Sequence, residues 1–234
     1  MNRQPAHYIC YTAHIVSNTI VVVDYGAGNL RSVARALAHV DESPIVSADP
    51  NDIDRAAGVI LPGVGAAQDT MANLIDKGLV GPLRDYIAAG RPFLGVCMGL
   101  QALFDSSEEG GGPECLGILP GVIRRFPGSE LKVPHMGWNT VEWRREHPVV
   151  DGIESGSYFY FVHGFYPETT DGSLVLGETI YGVTFPSVVA RENVVATQFH
   201  PEKSGDDGLR LYANFVRWAR ANSRAASKYV AVAR

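Results

Sequence analysis

A short apolar strand leads straight into a cysteine in the stretch Pro92-Phe93-Leu94-Gly95-Val96-Cys97-Met98-Gly99. The residues that follow, 98–104, have helical spacing, so the cysteine stands at a strand-to-helix turn. Gly95 and Gly99 lie two positions either side of Cys97, where larger side chains would collide with a residue held in such a turn. The stretch predicts a nucleophile elbow, and the first N–H groups of the helix favour the reactive thiolate.

The chain before this turn alternates between predicted strands and helices. Continuous apolar and β-branched runs predict strands at 20–24, 45–46, 58–61 and 92–96. Helical spacing begins at Leu30 and recurs over about 66–76 and 79–89. Because short turns join these elements, the first half predicts an α/β fold with a parallel sheet covered on both faces.

The second half of the chain has a different pattern. Short strand-like segments are joined by turns that leave no room for crossovers, so several must pair antiparallel: 121–125, 140–143, 158–162, 173–179, 181–186, 188–191 and 194–199. An amphipathic helix over 208–221 closes the pattern. We predict one domain over residues 19–222, with an N-terminal extension at 1–18 and a C-terminal tail at 223–234.

Composition excludes several classes of protein. The 234 residues are 46% hydrophobic and 19% charged, which suits one buried core and argues against global disorder. A formal net charge of −5 gives no basic field for nucleic acid, and no apolar run reaches the roughly 18 residues of a membrane span. The three cysteines, Cys10, Cys97 and Cys115, form neither a disulfide framework nor a metal-ligand spacing. We expect a cytoplasmic protein without metal or cofactor, in which Cys10 and Cys115 are unreactive.

A cysteine nucleophile needs a base, and the base needs a group that orients it. His200 follows the predicted strand at 194–199, and a strand end projects into the crevice where open α/β sheets bind ligands. Glu202, two residues further on, can accept a hydrogen bond from the imidazole and fix its tautomer. His163 and His135 are competing bases from sequence.

Acyl transfer also needs donors for the developing oxyanion. The backbone N–H of Met98, directly after the nucleophile, is one natural donor. The loop Pro62-Gly63-Val64-Gly65 is a candidate for the second, because glycine lets the backbone approach a ligand closely. These patterns together predict a thiol enzyme that acts on an acyl or amide carbon.

Three of these segments, in this order, resemble the class I (triad) glutamine amidotransferases. The matching motifs are Leu61–Gly65, Gly95–Gln101 and Gln198–Glu202, and their separations fit the family from about Ile20 to Arg220. The resemblance implies a flavodoxin-like three-layer fold, with a central, mostly parallel sheet and an added antiparallel sheet. It also implies a catalytic triad of Cys97, His200 and Glu202.

Narrower motifs resemble one branch of that family, the glutaminase subunits of imidazole glycerol phosphate synthase. They are Asp24–Leu30, Pro134–Asn139, Tyr158–His163 and His200–Ser204. The resemblance implies that Cys97 attacks the side-chain amide of L-glutamine and forms a thioester. Ammonia would pass to a (β/α)8-barrel cyclase subunit, the heterodimer partner, for histidine biosynthesis.

The same resemblance implies roles for further residues. Backbone groups of Val64, Gly65 and Met98 would form the oxyanion hole. Substrate contacts would come from Gln101, Glu109, Gly164 and Phe165, although relatives often carry Ser or Thr where this chain has Gly164. The cyclase interface would include Asn29, Trp138, Tyr160 and Lys203.

Three other functions compete with this interpretation. The first is the glutaminase subunit of another synthase, which the segments 136–139 and 160–163 disfavour. The second is a peptidase or deglycase with a cysteine elbow, which Gln101 and the His200-Pro201-Glu202 arrangement disfavour. The third is a catalytically inactive binding module, which is disfavoured because all three triad residues are present.

Overall fold

The computed structural model describes residues 18–40, 42–128 and 131–232, with side chains through Ser223. In chain order, its strands are β1 Ile20–Val23, β2 Ile45–Ser47, β3 Gly58–Leu61, β4 Phe93–Val96, β5 Ser106–Ser107, β6 Val122–Arg125, β7 His135–Trp143, β8 Ser157–His163, β9 Phe165–Glu168, β10 Val175–Tyr181, β11 Val183–Arg191 and β12 Val194–Thr197. Its helices are α1 Leu30–His39, α2 Pro50–Arg55, α3 Ala67–Asp76, α4 Val80–Ala88, α5 Met98–Gln101 and α6 Gly205–Val232.

The parallel strands form one end of a nine-stranded sheet, in the order β2-β1-β3-β4-β12. Strands β1, β3, β4 and β12 are buried along their whole length, which explains their continuous apolar sequences. Strands β4 and β12 are direct neighbours, with Val96 opposite Thr197. Their carboxyl ends therefore bring Cys97 and His200 to the same edge of the sheet.

The antiparallel strands continue the same sheet from β12 in the order β11-β10-β7-β8. A separate three-stranded sheet has the order β5-β6-β9. The predicted α/β class is confirmed, with the difference that the larger set of antiparallel strands extends the parallel sheet instead of forming a sheet of its own. The hairpin between β10 and β11 turns at Gly182, whose φ of +70° suits glycine.

Two apolar layers cover the opposite faces of the sheet. In β1, Val22 belongs to the layer that contains Phe215 of α6, whereas Val21 belongs to the layer that contains Leu83 of α4. This alternation of side chains along a strand produces the three-layer architecture. Both faces of the parallel strands are therefore packed, and the functional residues lie on the turns that follow these strands.

The helix after Cys97 is shorter than the sequence predicts. Helix α5 has a single turn, because the N–H of Asp105, which would bond to Gln101 in a longer helix, donates instead to the carbonyl of Gly121. The carbonyl of Ala102 accepts the N–H of Leu116, and that of Leu103 accepts the N–H of Leu119. The prediction of helix to residue 104 was therefore wrong, because it lacked this long-range pairing.

Other boundaries also differ from the predictions. The segments predicted at 181–186 and 188–191 are largely one strand, β11, and β7 begins at residue 135 because its first residues pair with β8. The short elements α2, β5 and β9 were not predicted. Helix α6 continues past residue 222, where the tail was predicted to begin. The division into extension, domain and tail stays a prediction, and residues 1–17 of the extension lie outside the described residues.

Candidate active site

The sharp turn at Cys97 has the geometry of a nucleophile elbow. Cys97 is a non-glycine residue with positive φ, at φ 54° and ψ −104°. A Cβ on Gly95 would lie 2.6 Å from the carbonyl oxygen of Gly99, and one on Gly99 would collide with the carbonyl oxygen of Leu61. Both glycines are therefore needed for the close packing of the elbow against its neighbours.

His200 and Glu202 form a buried pair beside this elbow. Nδ1 of His200 lies 2.8 Å from Oε1 of Glu202, and the two side chains are 2% and 1% exposed. The hydroxyl of Tyr212 donates to the other carboxylate oxygen of Glu202 at 3.5 Å. The carboxylate thus holds the proton on Nδ1 and leaves Nε2 for proton transfer.

The second ring nitrogen of His200, Nε2, is available for proton transfer. Nε2 is buried and has no hydrogen-bond partner among the residues that the structure describes. Burial by itself lowers the pKa of His200, but interactions with the side chains of Cys97 and Glu202 outweigh it and raise the pKa from 6.5 to about 10. This direction favours an imidazolium beside a thiolate.

The two competing histidines are engaged elsewhere. Nδ1 of His135 lies 3.0 Å from Nε2 of His163, and Nδ1 of His163 lies 2.7 Å from the carbonyl oxygen of Phe165. Burial is the main cause that lowers the pKa of His163 to about 3 and that of His135 to about 4. Two neutral rings with occupied nitrogens are poor candidates for the base.

A cavity of about 380 Å³ opens beside the nucleophile. Its walls bring together most of the predicted site: Val64, Gly65, Cys97, Met98, Gln101, Glu109, Gly164, Phe165 and His200. The loop before α3 is packed against the elbow, because a Cβ on Gly63 would collide with the side chain of Met98. Candidate oxyanion donors, nucleophile and base therefore face one small space.

Two predicted substrate residues are held firmly in this cavity. The Gln101 amide nitrogen donates to the carbonyl of Phe165 and to Oε1 of Gln198, both at 3.1 Å, while its own Oε1 has no partner in the described part of the chain. Oε2 of Glu109 accepts the N–H of Ala67 at 2.8 Å. Burial raises the pKa of Glu109, and Asp69 adds to this rise, whereas the Ala67 hydrogen bond opposes it.

Three of the four predicted interface residues lie together, two of them on the outer face of β7 and β8 and Lys203 on the turn after His200. Trp138 and Tyr160 are opposite each other in register, with ring centroids 6.2 Å apart, and Trp138 is 56% exposed. Nζ of Lys203 lies 5.6 Å from the Tyr160 ring centroid. The fourth, Asn29, is the N-cap of α1 and is partly exposed, but its side chain makes no capping hydrogen bond.

Cys115 and the possible metal ligands of the described residues form no second functional site. Cys115 is buried, and burial raises the pKa of its thiol to about 11, while Cys10 lies outside the described residues. Within residues 18–40, 42–128 and 131–232, no group of three or more His, Cys, Asp and Glu side chains could hold a metal ion. None of the helices in this described part is long and apolar enough to span a membrane.

Sequence reasoning did not identify the roles of three residues at or near the site, of which His135 was considered only as a competing base. Gln198 approaches the sulfur of Cys97, Ser204 bridges to the backbone of His200, and His135 supports His163. Gln198 and Ser204 fall inside the quoted motifs, so their positions were visible, but their contacts depend on how distant strands pack.

Comparison with known proteins identifies the family. Residues 21–218 match the model of the class-I glutamine amidotransferases. The HisH subunit of imidazole glycerol phosphate synthase from Dehalococcoides mccartyi (strain CBDB1) is 48% identical over 200 residues, covering 86% of this chain and 97% of that protein. HisH from Herpetosiphon aurantiacus is 50% identical over 200 residues, covering 86% of this chain and 94% of that protein.

Solved structures match the same fold. The structure of PurLQS from Thermotoga maritima has a TM-score of 0.67 at 18% identity, covering 86% of this chain and 98% of that one. A glutamine amidotransferase structure has a TM-score of 0.68 at 21% identity, covering 85% of this chain and 98% of that one. At this identity the likeness concerns the fold alone. The sequence matches go further, and the chain belongs to the class-I glutamine amidotransferases and, among them, to the HisH subunits of imidazole glycerol phosphate synthase.

Proposed function

We propose that the chain hydrolyses L-glutamine to glutamate and ammonia as the glutaminase subunit of imidazole glycerol phosphate synthase. The observation that carries this proposal is the buried His200–Glu202 pair beside a strained Cys97 in one small cavity. In the first step, the Cys97 thiolate attacks the side-chain amide carbon of glutamine. The protonated His200 then gives its proton to the departing ammonia, which leaves a γ-glutamyl thioester on Cys97.

The second half-reaction returns the enzyme to its starting state. Neutral His200 takes a proton from water, and the hydroxide attacks the thioester carbonyl. Collapse of the tetrahedral intermediate releases glutamate and the Cys97 thiolate, with the proton retained on His200. In both steps the oxygen of the substrate carbonyl becomes negative, and backbone N–H groups of Val64, Gly65 and Met98 would stabilise it by about 3 kcal/mol per donor.

The polar groups of the cavity fit the amino-acid end of glutamine. The unpartnered, buried Oε1 of Gln101 is an acceptor for a substrate N–H group. Glu109 supplies a carboxylate at the cavity wall, which attracts the substrate ammonium. Gly164 and Phe165 offer backbone groups, and the absence of a side chain at Gly164 leaves any family contact there to the backbone.

Ammonia that escaped into water would be protonated and would lose its nucleophilicity. We therefore propose delivery to a (β/α)8-barrel cyclase subunit that docks on the face with Trp138, Tyr160 and Lys203, with Asn29 at its margin. The partner would use the ammonia to form imidazole glycerol phosphate and an aminoimidazole carboxamide ribotide. A cytoplasmic location agrees with this chemistry, because Cys97 must remain a free thiol.

The test is glutamate release from glutamine by wild type and by Cys97→Ala, each with and without the purified barrel cyclase and its ribotide ligand. We expect slow release by the isolated chain, strong release in the full complex and none above background from Cys97→Ala. Equal wild-type rates with and without the partner would contradict gating by the cyclase. No release from the complete wild-type complex would reject the assignment to this synthase.

The competing functions are separated by two further measurements. Co-purification with the subunit of a different synthase would indicate another glutaminase. Cleavage of peptides in preference to glutamine would indicate a peptidase. Either result would leave Cys97 as the nucleophile; the first would change the partner and the second the substrate.

A further inference from the structure

Gln198 lies next to the nucleophile, and the proposed mechanism assigns it no role. Its side chain is fully buried, and Nε2 donates to Sγ of Cys97 at 3.7 Å, within the range for a sulfur acceptor. We propose that Gln198 is a further catalytic residue, whose amide N–H stabilises the thiolate of Cys97. The inference rests on the proposed role of Cys97 and adds a donor to it.

The orientation of the Gln198 amide follows from its neighbours. The carbonyl of Phe165 can only accept, so the group of Gln101 that faces it must be the NH2. The same NH2 group of Gln101 donates to the other end of the Gln198 amide, which must therefore be the oxygen. With its oxygen held by Gln101, Gln198 can present only its N–H groups to the sulfur of Cys97.

The hydrogen bonds continue from the carbonyl of Phe165 through further side chains, away from the site. The carbonyl of Phe165 also accepts Nδ1–H of His163, so Nε2 of His163 must accept the proton of His135. Nε2 of His135 then accepts from the Asn139 amide at 3.3 Å. Each hydrogen bond in this chain has one consistent direction with both rings neutral, which fixes the carbonyl that orients Gln101.

The His200 imidazolium is one stabiliser of the thiolate, and a fixed donor adds to it because water and the helix contribute little at this sulfur. Cys97 is only 4% exposed, so little water can solvate its sulfur. Helix α5 is a single turn, so it has few aligned peptide dipoles to direct at the sulfur. A fixed amide N–H supplies stabilisation that neither water nor a long helix provides.

The test measures the ionisation of Cys97 without using glutamine. Alkylation by iodoacetamide is followed from pH 5 to 10 in the full chain, with peptide mass spectrometry to separate Cys97 from the other cysteines. Gln198→Met keeps the volume and removes the donor. Thr197→Val is the matched control, because it removes a buried hydrogen bond from the preceding residue, to the carbonyl of Phe199, without touching the sulfur.

We expect the midpoint of alkylation to rise by about one pH unit in Gln198→Met, with about tenfold slower reaction below the midpoint and equal rates above it. Thr197→Val should keep the wild-type midpoint. Gln101→Leu, which frees the Gln198 amide to rotate, should give a smaller rise and serves as the second variant if Gln198→Met does not fold. Unchanged midpoints in the folded variants would overturn the proposal, whereas failure of the glutaminase assignment would leave these midpoints as they are.

Discussion

The carbonyl of Tyr160 accepts a hydrogen bond from the backbone N–H of His200 at 3.0 Å. Ser204 closes the connection, because its Oγ accepts the N–H of Tyr160 at 3.0 Å and donates to the carbonyl of His200 at 2.6 Å. Both backbone groups of Tyr160, an aromatic residue of β8, are thus linked to His200, one directly and one through Ser204. Movement of β8 on docking would be transmitted directly to His200.

Replacing Ser204 by alanine should loosen this connection. We expect kcat of the full complex to fall about tenfold with little change in KM, because the base is displaced while the substrate contacts remain. Loss of the buried bridge should also lower the free energy of unfolding by about 1 kcal/mol. Steady-state kinetics and urea denaturation measure the two effects.

Ser155→Ala is the matched control for Ser204→Ala. Its hydroxyl makes the same kind of bridge, accepting the N–H of Trp143 at 2.9 Å and donating to Glu142 at 2.6 Å, but remote from His200. We expect wild-type kcat from this control. An equal loss of kcat in both variants would show that the Ser204 effect is not specific to the base.

Glu202→Gln should disable the base while preserving the shape of the pair. Without the carboxylate, we expect the pKa of His200 to fall and kcat to drop at least about a hundredfold. An NMR titration of the His200 ring protons measures the pKa, with glutamate release measured in parallel. A variant that kept both the high pKa and the wild-type rate would contradict the role of Glu202.

The same pair makes stability depend on pH in a defined direction. The pKa of His200 is raised from 6.5 to about 10 in the folded state, despite the opposing effect of burial, by interactions with Cys97 and Glu202. Its stabilising contribution is therefore complete below pH 6.5 and is lost as the pH rises towards 10. Glu202→Gln should therefore lose most stability near and below pH 6.5, and the difference from wild type should shrink as the pH approaches 10.

Gly99→Ala should distort the elbow, because the new Cβ would collide with the carbonyl oxygen of Leu61. We expect unfolding free energy to fall by about 2 kcal/mol and glutaminase activity to be lost. Gly81→Ala is the control, since Gly81 lies in α4 with nothing within 4 Å of the new Cβ, and alanine there should stabilise by about 0.5 kcal/mol or more. Similar losses in both variants would contradict the packing argument.

Local patterns predicted the parts of the fold and site that are local in origin. The apolar run before Cys97 indicated a buried strand, and Gly95 and Gly99 indicated the elbow, because strand burial and tight turns leave direct marks in neighbouring residues. The spacing of His200 and Glu202 likewise predicted a pair that the fold brings within 2.8 Å.

The unpredicted features depend on contacts between distant segments. Helix α5 stops early because the N–H of Asp105, which would extend it, donates to the carbonyl of Gly121, and no local pattern records that pairing. Likewise, Gln198 lies 101 positions from Cys97 along the chain, and His135 lies 28 positions from His163. The sequence alone did not exclude His163 as the base. In the structure, His135 and the carbonyl of Phe165 occupy its two ring nitrogens.

The buried histidine pair predicts loss of stability in mild acid. Burial lowers the pKa of His135 to about 4 and that of His163 to about 3, so both rings take up protons more readily in the unfolded chain. Their part of the free energy of unfolding therefore keeps its full value above pH 6.5 and decreases as the pH falls towards 3. We expect the free energy of unfolding to fall by about 1.4 kcal/mol for each unit of pKa difference that the pH scan crosses.

Denaturation at a series of pH values tests this expectation. His135→Gln removes one of the two titrating rings, so its stability should vary less between pH 6.5 and 4 than that of wild type. His39→Gln replaces an exposed histidine at the end of α1 and should leave the wild-type slope. Identical slopes in all three proteins would show that acid acts on other groups.

Trp138→Ala should weaken docking of the proposed cyclase while leaving the isolated chain folded. Trp138 is 56% exposed and packs edge-on against Tyr160, so its removal takes apolar contact from the partner surface and little from the core. We expect the Kd for the cyclase to rise about tenfold or more, as for aromatic residues at interface centres. Ile75→Ala, which removes a side chain 63% exposed on α3, is the control and should keep the wild-type Kd. Titration calorimetry with the purified cyclase measures both, and an unchanged Kd for Trp138→Ala would place the docking face elsewhere on the molecule.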